Sequence, residues 1–197
     1  MAAQNFQAAT CRGLNCTSTD LIEAHIVPKG FGRFVRGDAH NMHVTLSAAN
    51  YAKPQLGEYD NQILCGSCDN QLGAFDNYAL QICKAFKSDY KTMPHGTFEL
   101  ESVDGDKLAK FVLAVLWRAS ISSRPDYAAV SLGPYEDRAR DVLFGAQPLG
   151  GFKQFQVMVQ RYMSNHFDTE RFYSLPVRAP FGNFNSYGFS LAGCRPL

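Results

Sequence analysis

The pattern of hydrophobic and polar positions divides the chain at about residue 95. The longest regular pattern lies beyond that point, in GDKLAKFVLAVLWRASIS, where Leu108, Phe111, Val112, Val115, Leu116 and Ala119 recur at spacings of three and four. This period predicts a helix with a broad buried face. Asp104 or Asp106 is placed to cap its start, and Pro125 stands just past its end. PYEDRARDVLFG predicts a second, shorter helix, with Pro134 in its first turn and Gly145 after its last. FKQFQVMVQRYM partly alternates, with Phe155, Val157 and Val159 on one face, and therefore reads as a strand. RFYSLPVRA and NSYGFSLAGC offer two more short strands between Pro and Gly punctuation.

The part before residue 95 is rich in Cys, His, Asn and Gly and poor in long periodic runs, as expected of a small unit organised around a metal. The predicted class is α+β: a metal module over residues 1–95, then a helical and antiparallel-sheet body over residues 96–197. Composition supports a packed interior, since 46% of residues are hydrophobic and the chain holds 15 Phe, 9 Tyr and 1 Trp. Nineteen basic against eighteen acidic side chains leave a net charge of +1, so any contact with nucleic acid must come from a local patch. MAAQNFQAAT lacks a basic segment followed by an apolar one, and the longest strongly apolar run, FVLAVLW, is far shorter than a membrane span of roughly 20 residues. A cytoplasmic setting without a membrane partner is the expectation. There, six cysteines suit metal ligation or burial better than disulfides.

Four of those cysteines are paired, Cys11 with Cys16 as C-x4-C and Cys65 with Cys68 as C-x2-C. Two such knuckles can set four thiolates tetrahedrally around one structural zinc ion, with Gly13 and Gly66 suited to the turns. The plain alternative is four buried thiols. Cys83 and Cys194 have no partner in the pattern and read as buried structural residues. After the second knuckle, DNQLGAFDNYALQICKAF carries Leu72, Phe75, Tyr78, Ala79, Ile82 and Phe86 at helical spacings, so the knuckle should sit on the turn that opens a helix. Between the knuckles, LIEAHIV and HVTL can pair as a hairpin. Knuckle, hairpin and helix in that order make a treble clef.

With AHIVPKGF and ILCGSCDNQLGAFD both present, the first 90 or so residues resemble the HNH, or ββα-metal, endonuclease superfamily, in the branch braced by a four-cysteine zinc. The resemblance implies a metal-dependent endonuclease that hydrolyses phosphodiester bonds of nucleic acid, DNA before RNA, in the family's usual phage-related setting. It implies His25, on the first strand, as the general base that activates water. It also implies Asp69, at the head of the helix with Asn70 beside it, as ligand to a catalytic Mg2+ or Mn2+ ion. Asp76, two helical turns on, would be a second ligand. The pattern departs from the family at Ala24, where an acid or histidine that also holds the metal is usual, and in lacking a histidine on the helix.

Lys29, Arg33 and Arg36, interleaved with Phe31 and Phe34, form either a phosphate-gripping patch or an exposed loop anchored by two phenylalanines. His40 and His43 are either further ligands near the hairpin mouth, with Asn41 or Asn50 tying the loop, or a polar hairpin edge. The competing functional reading is a catalytically inactive zinc-binding module that binds nucleic acid or a protein partner. A dithiol redox enzyme using Cys65 and Cys68 lacks the βαβ context that such pairs occupy. The oligomeric state stays open, a homodimer included.

Overall fold

The computed structural model describes residues 9–38, 42–46, 49–53, 58–89, 103–153, 155–161, 171–179, 186–192 and 194–196. The chain is mixed α and β, with small antiparallel two-stranded sheets around a central helix. The order is β1 (Ala24–Val27), α1 (Lys29–Arg36), β2 (Met42–Leu46), β3 (Ala49–Lys53), β4 (Glu58–Asp60), α2 (Gly66–Asp89), α3 (Gly105–Ile121), α4 (Glu136–Leu143), β5 (Val159–Arg161), β6 (Val177–Arg178), β7 (Tyr187–Gly188) and β8 (Cys194–Pro196). Short 3-10 turns at Pro125–Tyr127, Gly133–Tyr135 and Leu149–Gly151 link the later elements.

Helix α3 organises the interior. Asp104 caps it by accepting from the Lys107 backbone N–H at 3.0 Å, and every residue from Phe111 to Ala119 is buried. A helix apolar on all sides has to be enclosed on all sides. Leu113, Ala114 and Trp117 pack with Ala24, Ile26, Leu64, Leu72 and the α4 residues Val142 and Leu143. The opposite side, Phe111, Val112, Val115 and Leu116, packs with Val27, Phe31, Ala79, Phe189 and Leu191. Residues on either side of position 95 thus contribute to both hydrophobic clusters that flank α3. Among the described residues no helix is long and apolar enough to cross a membrane.

The strand pairing differs from the expected hairpin. β1 pairs with β4, with Ala24 opposite Asp60 and His25 opposite Tyr59, whereas HVTL lies in β2 and pairs with β3. The local pairing closes a far shorter loop, which costs less chain entropy than joining LIEAHIV to HVTL. β4 gains its own anchor: its buried acids Glu58 and Asp60 accept from Arg124 at 3.1 Å and from the Ser122 hydroxyl at 2.7 Å, both just past the end of α3. KGFGRFVR, for which an exposed loop anchored by two phenylalanines is one of two readings, is the helix α1, because Phe31, Gly32 and Val35 give it a buried stripe. The strand expected from Phe152 begins only at Val159. Phe152 and Phe155 stack on each other, with ring centroids 5.8 Å apart, and join the core before any ladder forms. His40 and Asn41 lie outside the described residues, and for His43 and Asn50 only the backbone, in β2 and β3, is described.

Candidate metal centre and the histidine beside it

The first knuckle is a tight turn in which the Cys16 N–H donates to the Gly13 carbonyl at 3.2 Å, with Asn15 in the left-handed region at φ 53°. Its backbone is tied to the second knuckle, since Arg12 N–H donates to Ile63 O at 2.8 Å and Ile22 N–H to Leu64 O at 3.0 Å. The four sulfur atoms of Cys11, Cys16, Cys65 and Cys68 consequently lie within 4.8 Å of one another. The Cys16 and Cys65 sulfurs are 3.8 Å apart, and a tetrahedral zinc with bonds of about 2.3 Å requires sulfur separations of about 3.8 Å. The Gly13 and Cys65 N–H groups both donate to the Cys11 sulfur, at 3.4 and 3.3 Å, which favours a thiolate there. The Cys68 backbone N–H brings the Cys65 thiol down to about 7, whereas burial pushes Cys11 and Cys68 up. A buried thiol that resists ionisation alone becomes a thiolate once a cation supplies the opposing charge. This group can hold a metal ion such as zinc.

Gly13 is required by space. A Cβ there would sit 2.4 Å from the Cys68 sulfur, so any side chain would displace one of the four thiols. Three of the four cysteines are buried within the core cluster that includes Trp117. Cys83 and Cys194 are buried as expected, away from the cluster.

Helix α2 starts at Gly66, between the two cysteines of the second knuckle, and the Asp69 N–H donates to the Cys65 carbonyl at 3.0 Å. The knuckle therefore sets where Asp69 stands. From the other side, β1 presents His25. The register with β4 shifts between His25 and Val27, so the burial sequence along β1 runs buried, half-buried, buried, buried instead of alternating. The departure falls at Val27, whereas Ala24, His25 and Ile26 keep the regular alternation and leave His25 on the less buried face. The His25 imidazole lies against Tyr59, its cross-strand partner, with ring centroids 6.0 Å apart.

His25 and Asp69 feel each other's charge. Burial lowers the His25 pKa below its ordinary 6.5, with Asp69 pulling it up and Lys29 and Arg118 pushing it down. Burial raises the Asp69 carboxyl, opposed by Arg118 and His25 and reinforced by Asp76. Asp69 Oδ1 is buried and has no hydrogen-bond partner among the described residues. An ionised oxygen in that condition is costly unless something binds it.

Asp76, expected as a second metal ligand, has another commitment. Arg118 donates to both its oxygens, at 2.9 and 2.7 Å, and Arg118 Nε donates to the Ala114 carbonyl at 3.1 Å. With 1% of its side chain exposed, this guanidinium needs a counter-charge, and Asp76 meets its fork geometry. Burial alone would lower the Arg118 pKa, yet Asp76 and Asp69 together hold it above its ordinary value. Arg118 was not singled out in the sequence; the available signal was an arginine inside the apolar run FVLAVLWRA, which requires a buried acid. Asn70 points elsewhere: it is exposed, on a different face of α2 from Asp69. Ala24 is fully buried, so its position faces the core and not the His25 side of the strand.

Lys29, Arg33 and Arg36 fall at i, i+4 and i+7 of α1, a single helical stripe, with Lys29 and Arg33 exposed and Arg36 partly buried. The helix lies close on α2, since a Cβ at Gly30 would meet Leu80 at 2.7 Å. The stripe begins four residues after His25, and the Lys29 charge reaches the imidazole.

No protein-family model, curated protein or solved structure matches the chain.

Proposed function

We propose that the chain is a metal-dependent endonuclease of the HNH type, hydrolysing phosphodiester bonds of nucleic acid, with DNA as the first substrate to test. The observation that carries this reading is the unpartnered buried oxygen Asp69 Oδ1, electrostatically coupled to a half-buried His25 held neutral by its surroundings. Cys11, Cys16, Cys65 and Cys68 would hold a structural zinc ion, and Asp69 would hold Mg2+ or Mn2+, ions that favour oxygen ligands. When bound, the divalent ion supplies charge for the scissile phosphate and the departing oxygen. His25 accepts the proton of the attacking water, a role suited to an imidazole that is neutral near pH 7. Lys29, Arg33 and Arg36 hold flanking phosphates and so position the strand without reading its bases.

The inactive-module reading draws on Ala24 and Asp76, which leave the site short of expected metal ligands. A cleavage assay separates the two. Purified wild type and His25→Ala are incubated with supercoiled plasmid, linear DNA, branched DNA and RNA, with Mg2+, Mn2+ or chelator. Cutting that requires the divalent ion and vanishes in His25→Ala, at unchanged zinc content, supports the endonuclease. Nucleic-acid or protein binding without any cutting, indifferent to His25→Ala, supports the module.

A further inference from the structure

Asp76, on the helix that carries Asp69, forms a largely buried pair with Arg118, and the buried Asp69 Oδ1 has no hydrogen-bond partner among the described residues. Asp69 and Asp76 are seven residues apart on α2, hence on the same face. Two acids so placed would ordinarily be read as joint ligands. Here both oxygens of Asp76 are taken by Arg118, the guanidinium is enclosed, and the one buried carboxylate oxygen without a hydrogen-bond partner among the described residues is Asp69 Oδ1. The charge of Arg118 reaches both Asp69 and His25. Left unpaired, that guanidinium would either bond to Asp69 or oppose any cation approaching it.

We infer that Asp76 is a positioning residue: it holds the Arg118 guanidinium away from Asp69 and cancels its charge, keeping Asp69 open to a divalent cation. This rests on the reading of Asp69 as a cation ligand. The pair also ties α2 to α3 through the core, so the cation site is fixed to the central helix. Asp76 then serves the site without touching the ion, and its importance depends entirely on Arg118 being present.

The test is Mn2+ binding, followed by the electron paramagnetic resonance of free Mn2+. The full-length proteins are wild type, Asp69→Asn, Asp76→Asn, Arg118→Met and the double variant Asp76→Asn/Arg118→Met. Zinc content and circular dichroism report the fold of each. Wild type should bind Mn2+ and Asp69→Asn should not. Asp76→Asn should bind about tenfold or more weakly, the scale of one uncompensated charge near a divalent ion in a partly buried site. Removing the arginine as well should restore binding to near the wild-type level, and Arg118→Met alone should not weaken it. A double variant that folds, keeps its zinc and still binds weakly would make Asp76 a ligand and overturn the inference, as would undiminished binding by Asp76→Asn. If Asp76→Asn does not fold, the double variant decides alone, because it lacks the Asp76 carboxylate altogether. Absence of any Asp69-dependent Mn2+ binding in wild type would instead sink the reading of Asp69 as a cation ligand, and the inference with it.

Discussion

Gly13 and His25 show how closely single side chains are constrained. A methyl group at position 13 has no room beside the Cys68 sulfur, so Gly13→Ala should lower both metal retention against a chelator and thermal stability. Zinc-release kinetics and a melting curve on the same preparation check this, and an unchanged release rate would contradict the packing argument. For His25 the sign follows from burial. Its pKa in the folded chain lies below 6.5, so between that lower value and 6.5 the unfolded chain takes up more protons and stability falls as pH drops. Above 6.5 the imidazole is neutral in both states and this penalty vanishes. Under the endonuclease reading, the cleavage rate should hold level downward to pH 6.5 and decline only below it; a decline setting in above 6.5 would mean another group is the base. His25 was legible as a candidate through the family resemblance that AHIVPKGF and the second cysteine pair carry. Its half-burial depends on the elements packed around β1, which no local pattern encodes.

Helices α2 and α3 carry the site between them. Leu113 is fully buried on the face of α3 that meets Ala24, Leu64 and Leu72, so Leu113→Ala should cost roughly 2–5 kcal/mol. Because this contact joins residues from both sides of position 95, the loss should appear as a shift of one cooperative denaturant transition. Two separate transitions would mean that the two parts unfold independently. The Arg118–Asp76 pair gives a second expectation for the same helices. Arg118→Met leaves a carboxylate uncompensated in a largely buried place and should cost on the order of 3–5 kcal/mol, whereas Asp76→Asn/Arg118→Met should cost much less. Urea denaturation of the three proteins measures the difference. Helices α2 and α3 fall where apolar spacing puts them, and α4 lies between Pro134 and Gly145, with Pro134 in the 3-10 turn before it and not in its first turn. Strand partners do not follow from spacing: β1 joins β4 because Arg124 and Ser122 supply partners for its acids, and those residues lie far along the chain.

The thiol cluster is part of the interior of the whole molecule and not an appendage to it. Cys11, Cys65 and Cys68 belong to the same buried group as Trp117, and the chain has a single tryptophan. If the four thiols hold a metal ion, stripping it should therefore expose Trp117, seen as a red shift of its emission together with a lower melting temperature. An emission spectrum unaffected by complete metal removal would show that the core stands without the ion. The paired spacing of the cysteines, the start of a helix at the second pair and the enclosed character of FVLAVLWRA all follow from local rules, because turn geometry and helical period act over a few residues. The electrostatic coupling of His25 to Asp69, the capture of Asp76 by Arg118 and the burial of Asp69 Oδ1 do not. They arise where β1, α2 and α3 converge, and charge and burial at such a meeting depend on groups more than forty positions apart in the chain.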